Sequence, residues 1–177
     1  MADPHHQPSP KFGITPVRTA GDLASAITLF HAYAGSLGID LSFQNFSAEM
    51  SSMPGKYSPE AGGELLLARD TASGEAIGCV ALRALQLPAA LSTSSCEMKR
   101  LYVTPAGRGT GMGKALAAGI LDVAERLGYG EVRLDTLPTM VAARNMYRAL
   151  GFVEIAPYYE TPLEGTHFLS LRLPRNV

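Results

Sequence analysis

The sequence from Val103 to Leu116 reads VTPAGRGTGMGKAL, with glycine at positions 107, 109, 111 and 113. A strand-like run leads into this segment and a helix-like run follows it. Glycines let a ligand approach the backbone closely, and the N–H groups at a helix N-terminus point at one place together with the positive end of the helix dipole. A turn that only connects two elements needs fewer glycines. The segment therefore predicts a binding site for an anion such as a phosphate group.

The spacing of these glycines excludes two common nucleotide-binding motifs. A P-loop has glycine five residues before its Gly-Lys pair and a serine or threonine after it, but Arg108 and Ala115 stand at those positions here. A dinucleotide-binding fingerprint needs glycine or alanine at its third position. The three Gly-x-Gly units place Met112, Lys114 and Leu116 there instead. A nucleotide-dependent kinase and a dinucleotide-binding loop are therefore both excluded.

Two motifs in this chain resemble those of one enzyme family. The pattern Arg-x-x-Gly-x-Gly at residues 108–113 resembles the pyrophosphate-binding loop of the GNAT superfamily of N-acetyltransferases. About thirty-five residues later, AARNMYRALGF at residues 142–152 resembles the family's Ala-x-x-x-Tyr-x-x-x-Gly-Phe helix. The resemblance covers about residues 13–173 and is strongest over 97–152. A later segment, PYY at 157–159 followed by proline and glycine, resembles a bacterial branch that acts on small molecules.

The resemblance implies a cosubstrate and the residues that hold it. Members of this family bind acetyl-coenzyme A (acetyl-CoA) and need no metal. Backbone N–H groups of the loop would hold the pyrophosphate, with added charge from Arg108, and main-chain groups of Leu101 and Val103 would pair with the pantetheine arm like an added strand. The implied cofactor-binding residues are Leu101, Tyr102, Val103, Arg108, Gly109, Thr110, Gly111, Met112, Gly113 and Lys114.

Tyr147 is the proton donor that the resemblance implies, since the departing thiolate benefits from a proton. Considered alone, a tyrosine on an amphipathic helix more often packs in the core, here against Ala143 and Leu150. The family often carries an asparagine nearly two turns before this tyrosine. That position lies near Met140 here, so the asparagine contact is not carried over.

A base is also needed, because an alkyl amine with a pKa near 10 is almost fully charged at neutral pH. Glu97 is the candidate, since several family members use a glutamate from the strand that leads to the cofactor. The alternative is that Glu97 pairs with Lys99 or with Arg83 on a neighbouring strand. The sequence leaves these two roles open.

Composition and charge limit the possible partners. The chain has 177 residues, of which 46% are hydrophobic, and its 15 basic and 16 acidic residues give a net charge of −1. This balance offers no broad cationic face for nucleic acid or anionic lipid and favours a small molecule as the partner; that this partner is an amine is implied by the family resemblance. No segment approaches the ~20 apolar residues of a spanning helix, and the first eleven residues do not resemble a secretion signal, so we expect a cytoplasmic protein. The family resemblance makes a homodimer one option.

Cys79 and Cys96 fall on two predicted strands of one hairpin, where a disulfide is geometrically conceivable. In a reducing compartment two isolated cysteines are more often small buried apolar residues, which is the expectation here. Their spacing does not match a metal-binding signature.

Hydrophobic periodicity predicts a single α/β domain over residues 13–177, preceded by a flexible N-terminal tail at 1–12. The predicted strands are 13–18, 64–69, 76–86, 94–103, 131–136, 152–155 and 166–173. The first predicted helix begins at Thr19, and three others cover 44–53, 111–127 and 139–150. The resemblance implies a mixed, mostly antiparallel central sheet that is splayed at the cofactor site, with helices on both faces.

These observations predict an acetyltransferase that moves an acetyl group from acetyl-CoA to a primary amine of a small metabolite by direct attack. An amino acid or a similar carboxylate-bearing amine is one candidate acceptor. The alternative from another functional class is a catalytically silent domain that binds an acyl-CoA and serves as a sensor or interaction module.

Overall fold

The computed structural model describes residues 11–39, 45–86 and 94–175. Its strands are β1 (Phe12–Pro16), β2 (Glu64–Asp70), β3 (Ala76–Leu85), β4 (Ser95–Val103), β5 (Glu131–Thr136), β6 (Val153–Ile155) and β7 (His167–Arg172). Its helices are α1 (Ala20–Leu37), α2 (Phe46–Ser51), α3 (Met112–Arg126) and α4 (Val141–Ala149). Most of the predicted tail lies outside the described residues, and Phe12 at its end already belongs to β1.

The seven strands form one sheet in the order β1-β2-β3-β4-β5-β7-β6. Every neighbouring pair is antiparallel except β4 and β5, which run parallel. This parallel pairing extends only over residues 95–97 and 131–133, after which the two strands separate. The predicted mixed, mostly antiparallel sheet is confirmed, and the separation opens it near its middle.

Hydrophobic clusters cover both faces of the sheet. On one face, α3 and α4 pack over alternate strand residues that include Val80, Leu82 and Leu134. On the other face, α1 and the 3-10 turn Gly55–Tyr57 cover a smaller cluster that includes Cys79. Because successive strand residues point to opposite faces, β2 and β3 each contribute buried residues to both clusters.

Local sequence signals explain the start of α1 and the end of α2. Thr19 caps α1 through a capping box with Asp22, as its spacing predicted. The second helix is shorter than the predicted 44–53, since α2 ends at Ser51 and a turn follows. Proline disfavours helical conformation in the residue before it, and Pro54 is the last residue of this turn.

Cys79 and Cys96 do not form the disulfide that the hairpin made conceivable. In the β3–β4 register Cys79 lies opposite Tyr102, whereas Cys96 lies opposite Ala84, and this separation corresponds to roughly 17 Å along the strand. The two residues also belong to the clusters on opposite faces. Both thiols are free and buried, and burial raises the pKa of Cys79 to about 12. They act as small apolar core residues.

The start of β2 passes so close to the Gly55–Tyr57 turn that it depends on a glycine. A Cβ atom at Gly63 would lie 2.6 Å from both the Lys56 carbonyl oxygen and the Tyr57 Cα, which are backbone atoms with little room to move. We expect Gly63→Ala to lower the free energy of unfolding by about 3 kcal/mol, as measured by urea denaturation.

The matched control is Gly13→Ala on β1, where a new Cβ meets no atom within 4 Å. We expect that change to stay within roughly 0.5 kcal/mol of the unmodified protein. Equal stability of the two variants would contradict the close approach at Gly63.

Candidate active site

A β-bulge in β4 lies where β4 and β5 separate. Cys79 pairs with Tyr102 and Ala81 with Lys99, so Arg100 and Leu101 together oppose a single residue of β3. Arg100 adopts the left-handed conformation with φ of 58°. A bulge bends its strand and increases the local twist. It therefore turns the last part of β4 away from β5.

The side chain of Arg100 is held by a buried ion pair that sequence analysis missed. Its Nε donates to Oε1 of Glu49 at 3.0 Å and its Nη2 donates to Oε2 at 3.2 Å. Its guanidinium also lies over the rings of Tyr33 and Phe46. Both charged side chains are at most 3% exposed. The pair ties α2 and α1 to the bulge, and no local pattern links residues 51 positions apart.

Two further groups complete the surroundings of Glu49. The hydroxyl of Tyr57 donates to its Oε1 at 2.9 Å, and Nζ of Lys56 lies 3.1 Å from its Oε2. Burial alone would raise the pKa of Glu49, but the guanidinium of Arg100 and the ammonium of Lys56 outweigh burial and lower this pKa to about 2. The carboxylate is therefore charged at neutral pH.

The opening between β4 and β5 forms a cavity that reaches both faces of the sheet. Its walls come from the end of α1, the bulge, the end of β5, α4 and the segment before β7. The residues that line it include Tyr33, Leu37, Met98, Lys99, Leu101, Asp135, Thr136, Met140, Tyr147 and Leu163. The walls combine apolar side chains with two cations, Lys99 and Arg100, one carboxylate, Asp135, and two phenols.

The glycine-rich segment lies directly after β4 and leads into α3. Gly109 and Gly111 have φ of 76° and 85°, and Gly111 is the N-cap of the helix. Within the described ranges, the successive N–H groups from Gly109 to Lys114 donate to no protein acceptor. The N–H of Arg108 is used in a turn with Pro105, and its Nε donates to the Val103 carbonyl oxygen at 3.3 Å. Six free N–H groups at a helix N-terminus suit an anion.

Tyr147 lines the same cavity from α4. Its ring packs edge to face against Phe152, with centroids 5.7 Å apart, and 7% of the residue is exposed. It belongs to the core cluster and also lines the opening, so one part of the residue packs in the core while another borders the cavity. Burial is the main cause that raises the pKa of Tyr147, with Tyr33 and Asp135 adding to it. Its hydroxyl therefore keeps its proton at neutral pH.

Glu97 lies on the face of the sheet opposite α3 and is fully buried. Its Oε2 accepts from Nε of Arg83 at 2.6 Å, and its Oε1 accepts from the hydroxyl of Tyr158 at 2.8 Å. Nζ of Lys99 lies 3.8 Å from Oε1. Burial would raise the pKa of Glu97, but Lys99 and Arg83 outweigh it and lower the pKa. These are the two cations that the sequence named as pairing partners.

Sequence comparison assigns this geometry to a known family. The profile of the acetyltransferase (GNAT) family matches residues 36–152. The chain belongs to this family. An uncharacterized N-acetyltransferase of Schizosaccharomyces pombe is 37% identical to the GNAT chain described here over 162 residues, which cover 92% of this chain and 95% of that protein.

Solved structures share the GNAT fold. An acetyltransferase of this family from Staphylococcus aureus superposes with a TM-score of 0.72 at 18% identity and covers 92% of this chain and 99% of that one. An acetyltransferase from Salmonella typhimurium, solved with its cofactor acetyl-CoA, has a TM-score of 0.67 at 18% identity, with 94% and 96% covered. The predicted single-domain α/β GNAT fold is confirmed, as is the enzyme class, an acetyl-CoA-dependent N-acetyltransferase.

Two features are absent from the described residues. No helix among them is long and apolar enough to cross a membrane. No group of three or more histidine, cysteine, aspartate or glutamate side chains among them is arranged to hold a metal ion.

The low pKa of Glu49 predicts how stability depends on pH. A carboxyl whose pKa is lower in the folded than in the unfolded state contributes stability that is complete above its unfolded value of about 4.3 and is lost as the pH falls towards the folded value. We expect Glu49→Gln to lower the free energy of unfolding by about 3 to 5 kcal/mol at neutral pH, because Arg100 stays buried without its partner. This difference should narrow as the pH approaches 2.

Urea denaturation of both proteins across this acid range, followed by circular dichroism, measures the effect. Glu75→Gln is the matched control, since Glu75 is exposed in the turn between β2 and β3. A difference between Glu49→Gln and the unmodified protein that stays constant down to pH 2 would argue against the ion pair.

Proposed function

We propose that this GNAT enzyme moves an acetyl group from acetyl-CoA to a primary amine of a small metabolite by direct attack. The observation that carries the proposal is the row of N–H groups from Gly109 to Lys114 that donate to no acceptor in the described structure, on the loop that follows β4, together with an opening between β4 and β5 that Leu101 and Tyr147 line. The row suits a diphosphate, and the opening is lined from both faces of the sheet, by Tyr147 on one and by Lys99 and Asp135 on the other. An anion site alone would not need such an opening.

The loop and the end of β4 are the proposed binding surface for acetyl-CoA. In this proposal the N–H groups at 109–114 hold the diphosphate, Arg108 adds charge, and main-chain groups of Leu101, Tyr102 and Val103 hold the pantetheine arm. Two features support the second part: Leu101 lines the opening, and β4 has no β5 partner beyond Glu97. An unpaired strand edge can accept an extended ligand.

Tyr147 is the proposed proton donor. Attack by the amine nitrogen forms the new C–N bond, and the C–S bond then breaks with its electron pair on sulfur. The Tyr147 hydroxyl gives its proton to this thiolate, the attacking nitrogen releases its extra proton to solvent, and Tyr147 regains a proton from solvent. The position of Tyr147 in the wall of the cavity supports the assignment, since a proton donor must reach the sulfur.

The role of Glu97 as the base stays a prediction, and its contacts support the pairing alternative. Arg83 and Tyr158 already occupy both carboxylate oxygens, and the residue has no exposed surface. A base must reach the proton that it removes.

The proposed acceptor is a small amine, and an amine with a carboxylate is one form of it. Lys99 lines the cavity, and its Nζ makes only long contacts of 3.5 Å and 3.8 Å with carboxylates in the described structure. An acceptor carboxylate can compete for such a cation. Comparing amino acids with amines of the same side chain that lack the carboxylate tests this form of the proposal.

Three broader expectations remain predictions. The cytoplasm is the proposed compartment, which the two free thiols support because such thiols are typical of reducing conditions. Membership of a bacterial small-molecule branch is proposed from the PYY segment, although a relative that covers 92% of this chain comes from Schizosaccharomyces pombe. A homodimer is proposed from the family resemblance alone.

The anion site predicts the effect of a new negative charge. We expect Gly113→Glu to raise the dissociation constant of acetyl-CoA at least tenfold, a loss of about 1.4 kcal/mol, because the carboxylate would compete with the diphosphate for the free N–H groups. Calorimetric titration measures it. Gly35→Glu is the control, since Gly35 lies exposed in a helix and its Cβ would meet no atom within 4 Å. Equal affinity in both variants would remove the loop from the binding surface.

Thiol release tests the activity and the role of Tyr147. We expect the protein to release coenzyme A thiol from acetyl-CoA when a suitable primary amine is present, and Tyr147→Phe to lower kcat about 100-fold while calorimetry shows unchanged acetyl-CoA affinity. Tyr129→Phe is the control, because the Tyr129 hydroxyl donates to the Gly62 carbonyl oxygen outside the cavity.

Binding of acetyl-CoA without thiol release on any amine would favour the silent sensor instead. Equal kcat in Tyr147→Phe and the unmodified enzyme would rule out the donor role while leaving the activity intact.

A further inference from the structure

The end of β5 places a second carboxylate beside the opening. Along β5, Val132 and Leu134 point into the core beneath α3, so the alternating Asp135 points to the other face of the sheet. β5 pairs with β4 only as far as Arg133, so the backbone of Asp135 has no neighbour on β4. Its Oδ1 instead lies 3.5 Å from Nζ of Lys99 across the gap. Asp135 therefore lines the cavity from this face.

Glu97 and Asp135, two carboxylates on this face, differ in what they can still bind. Glu97 is fully buried, and short hydrogen bonds from Arg83 and Tyr158 engage both of its oxygens. The Asp135 side chain is 17% exposed and lines the cavity, and its contact with Lys99 is long. An entering amine can reach Asp135 without breaking a short hydrogen bond.

Asp135 and Tyr147 line the opening from opposite faces of the sheet. Tyr147 belongs to the core cluster on the α3 and α4 face, whereas Asp135 points to the opposite face, and both border the same cavity. A thioester in the gap would have the proton donor on one side. The acceptor amine would approach from the other.

We propose that Asp135, and not Glu97, binds the ammonium group of the acceptor and accepts its first proton. This inference rests on the proposed function and names the base at that same site. One N–H bond of the ammonium breaks, its proton bonds to an Asp135 oxygen, and the electron pair stays on nitrogen for the attack. The protonated carboxyl then loses this proton to solvent, so that the overall reaction releases one proton.

Lys99 balances the charge of the Asp135 carboxylate when no acceptor is bound. Its ammonium lies beside Asp135 until the ammonium of the acceptor takes that place, so the carboxylate faces a cation in both states. The ionisable groups around Asp135 come from four elements: Lys99 and Glu97 of β4, Tyr33 of α1, Tyr147 of α4, and Tyr158 and Tyr159 before β7. Apart from Lys99 and Glu97 they are phenols, and burial raises the pKa of each of them.

The test compares Asp135→Asn and Glu97→Gln with the unmodified enzyme at two pH values. The acceptor is whichever member of a panel of ethylamine, phenethylamine, putrescine, L-alanine and L-lysine the unmodified enzyme acetylates fastest. We expect Asp135→Asn to lower kcat/KM for this amine about 100-fold at neutral pH. The deficit should shrink to less than about fivefold near pH 10, where much of an alkyl amine is already uncharged.

A purely structural role for Asp135 would not produce this rescue by pH. Melting temperature and calorimetric affinity for coenzyme A are measured for each variant, and we expect Asp135→Asn to keep both. Asp122→Asn is the matched control, since Asp122 pairs with Arg175 on the outer surface of α3. It should leave kcat/KM unchanged at both pH values.

Three outcomes would overturn the inference. They are equal activity of Asp135→Asn and the unmodified enzyme, an equal deficit at both pH values, and rescue by pH in Glu97→Gln instead. If the unmodified enzyme releases no thiol with any amine of the panel, the proposed function fails first, and that result is known before any variant is compared.

Discussion

The separation of β4 from β5 is the constraint on which the site depends. The strands pair over only three residues each, and the bulge at Arg100 then bends β4 away. A buried guanidinium without a counter-charge would cost several kcal/mol, so the bulge is stable only with Glu49 beside it. Glu49 belongs to α2, which makes the position of α2 a condition for the opening. One ion pair thus links a short helix to the shape of the cavity.

The opening joins two chemically different faces of one sheet. The face beneath α3 and α4 is apolar and ends at Tyr147 and the free N–H groups before α3. The opposite face carries cations that each lie beside a carboxylate, as in the pairs Arg83–Glu97 and Lys99–Asp135. Electrostatic interactions are stronger in such a partly buried region than in water. In the proposed reaction, a charged amine would therefore meet these carboxylates on one side of the gap, and Tyr147, the proposed proton donor, lies on the other.

The elements built on local signals could be predicted from the sequence. The strand over residues 131–136 has the predicted bounds, α1 has the predicted capping box, and α3 begins at the end of the glycine-rich loop. These features depend on residues within one or two turns of each other, so periodicity and capping identify them. The loop and Tyr147 were found for the same reason, since each belongs to a short motif.

Pairings between distant segments could not be predicted in this way. Arg100 and Glu49, or Glu97 and Tyr158, meet because of strand register, the bulge and the position of the segment before β7. The register also separates the two cysteines that a simple hairpin would bring near each other. The amino-acid order alone therefore predicted the order of elements, the glycine-rich loop as an anion site and Tyr147 as the proton donor, because each prediction rests on a local pattern. Which carboxylate is engaged and which stays accessible was decided only by packing, since a shift of one residue in register moves every side chain of a strand to the other face.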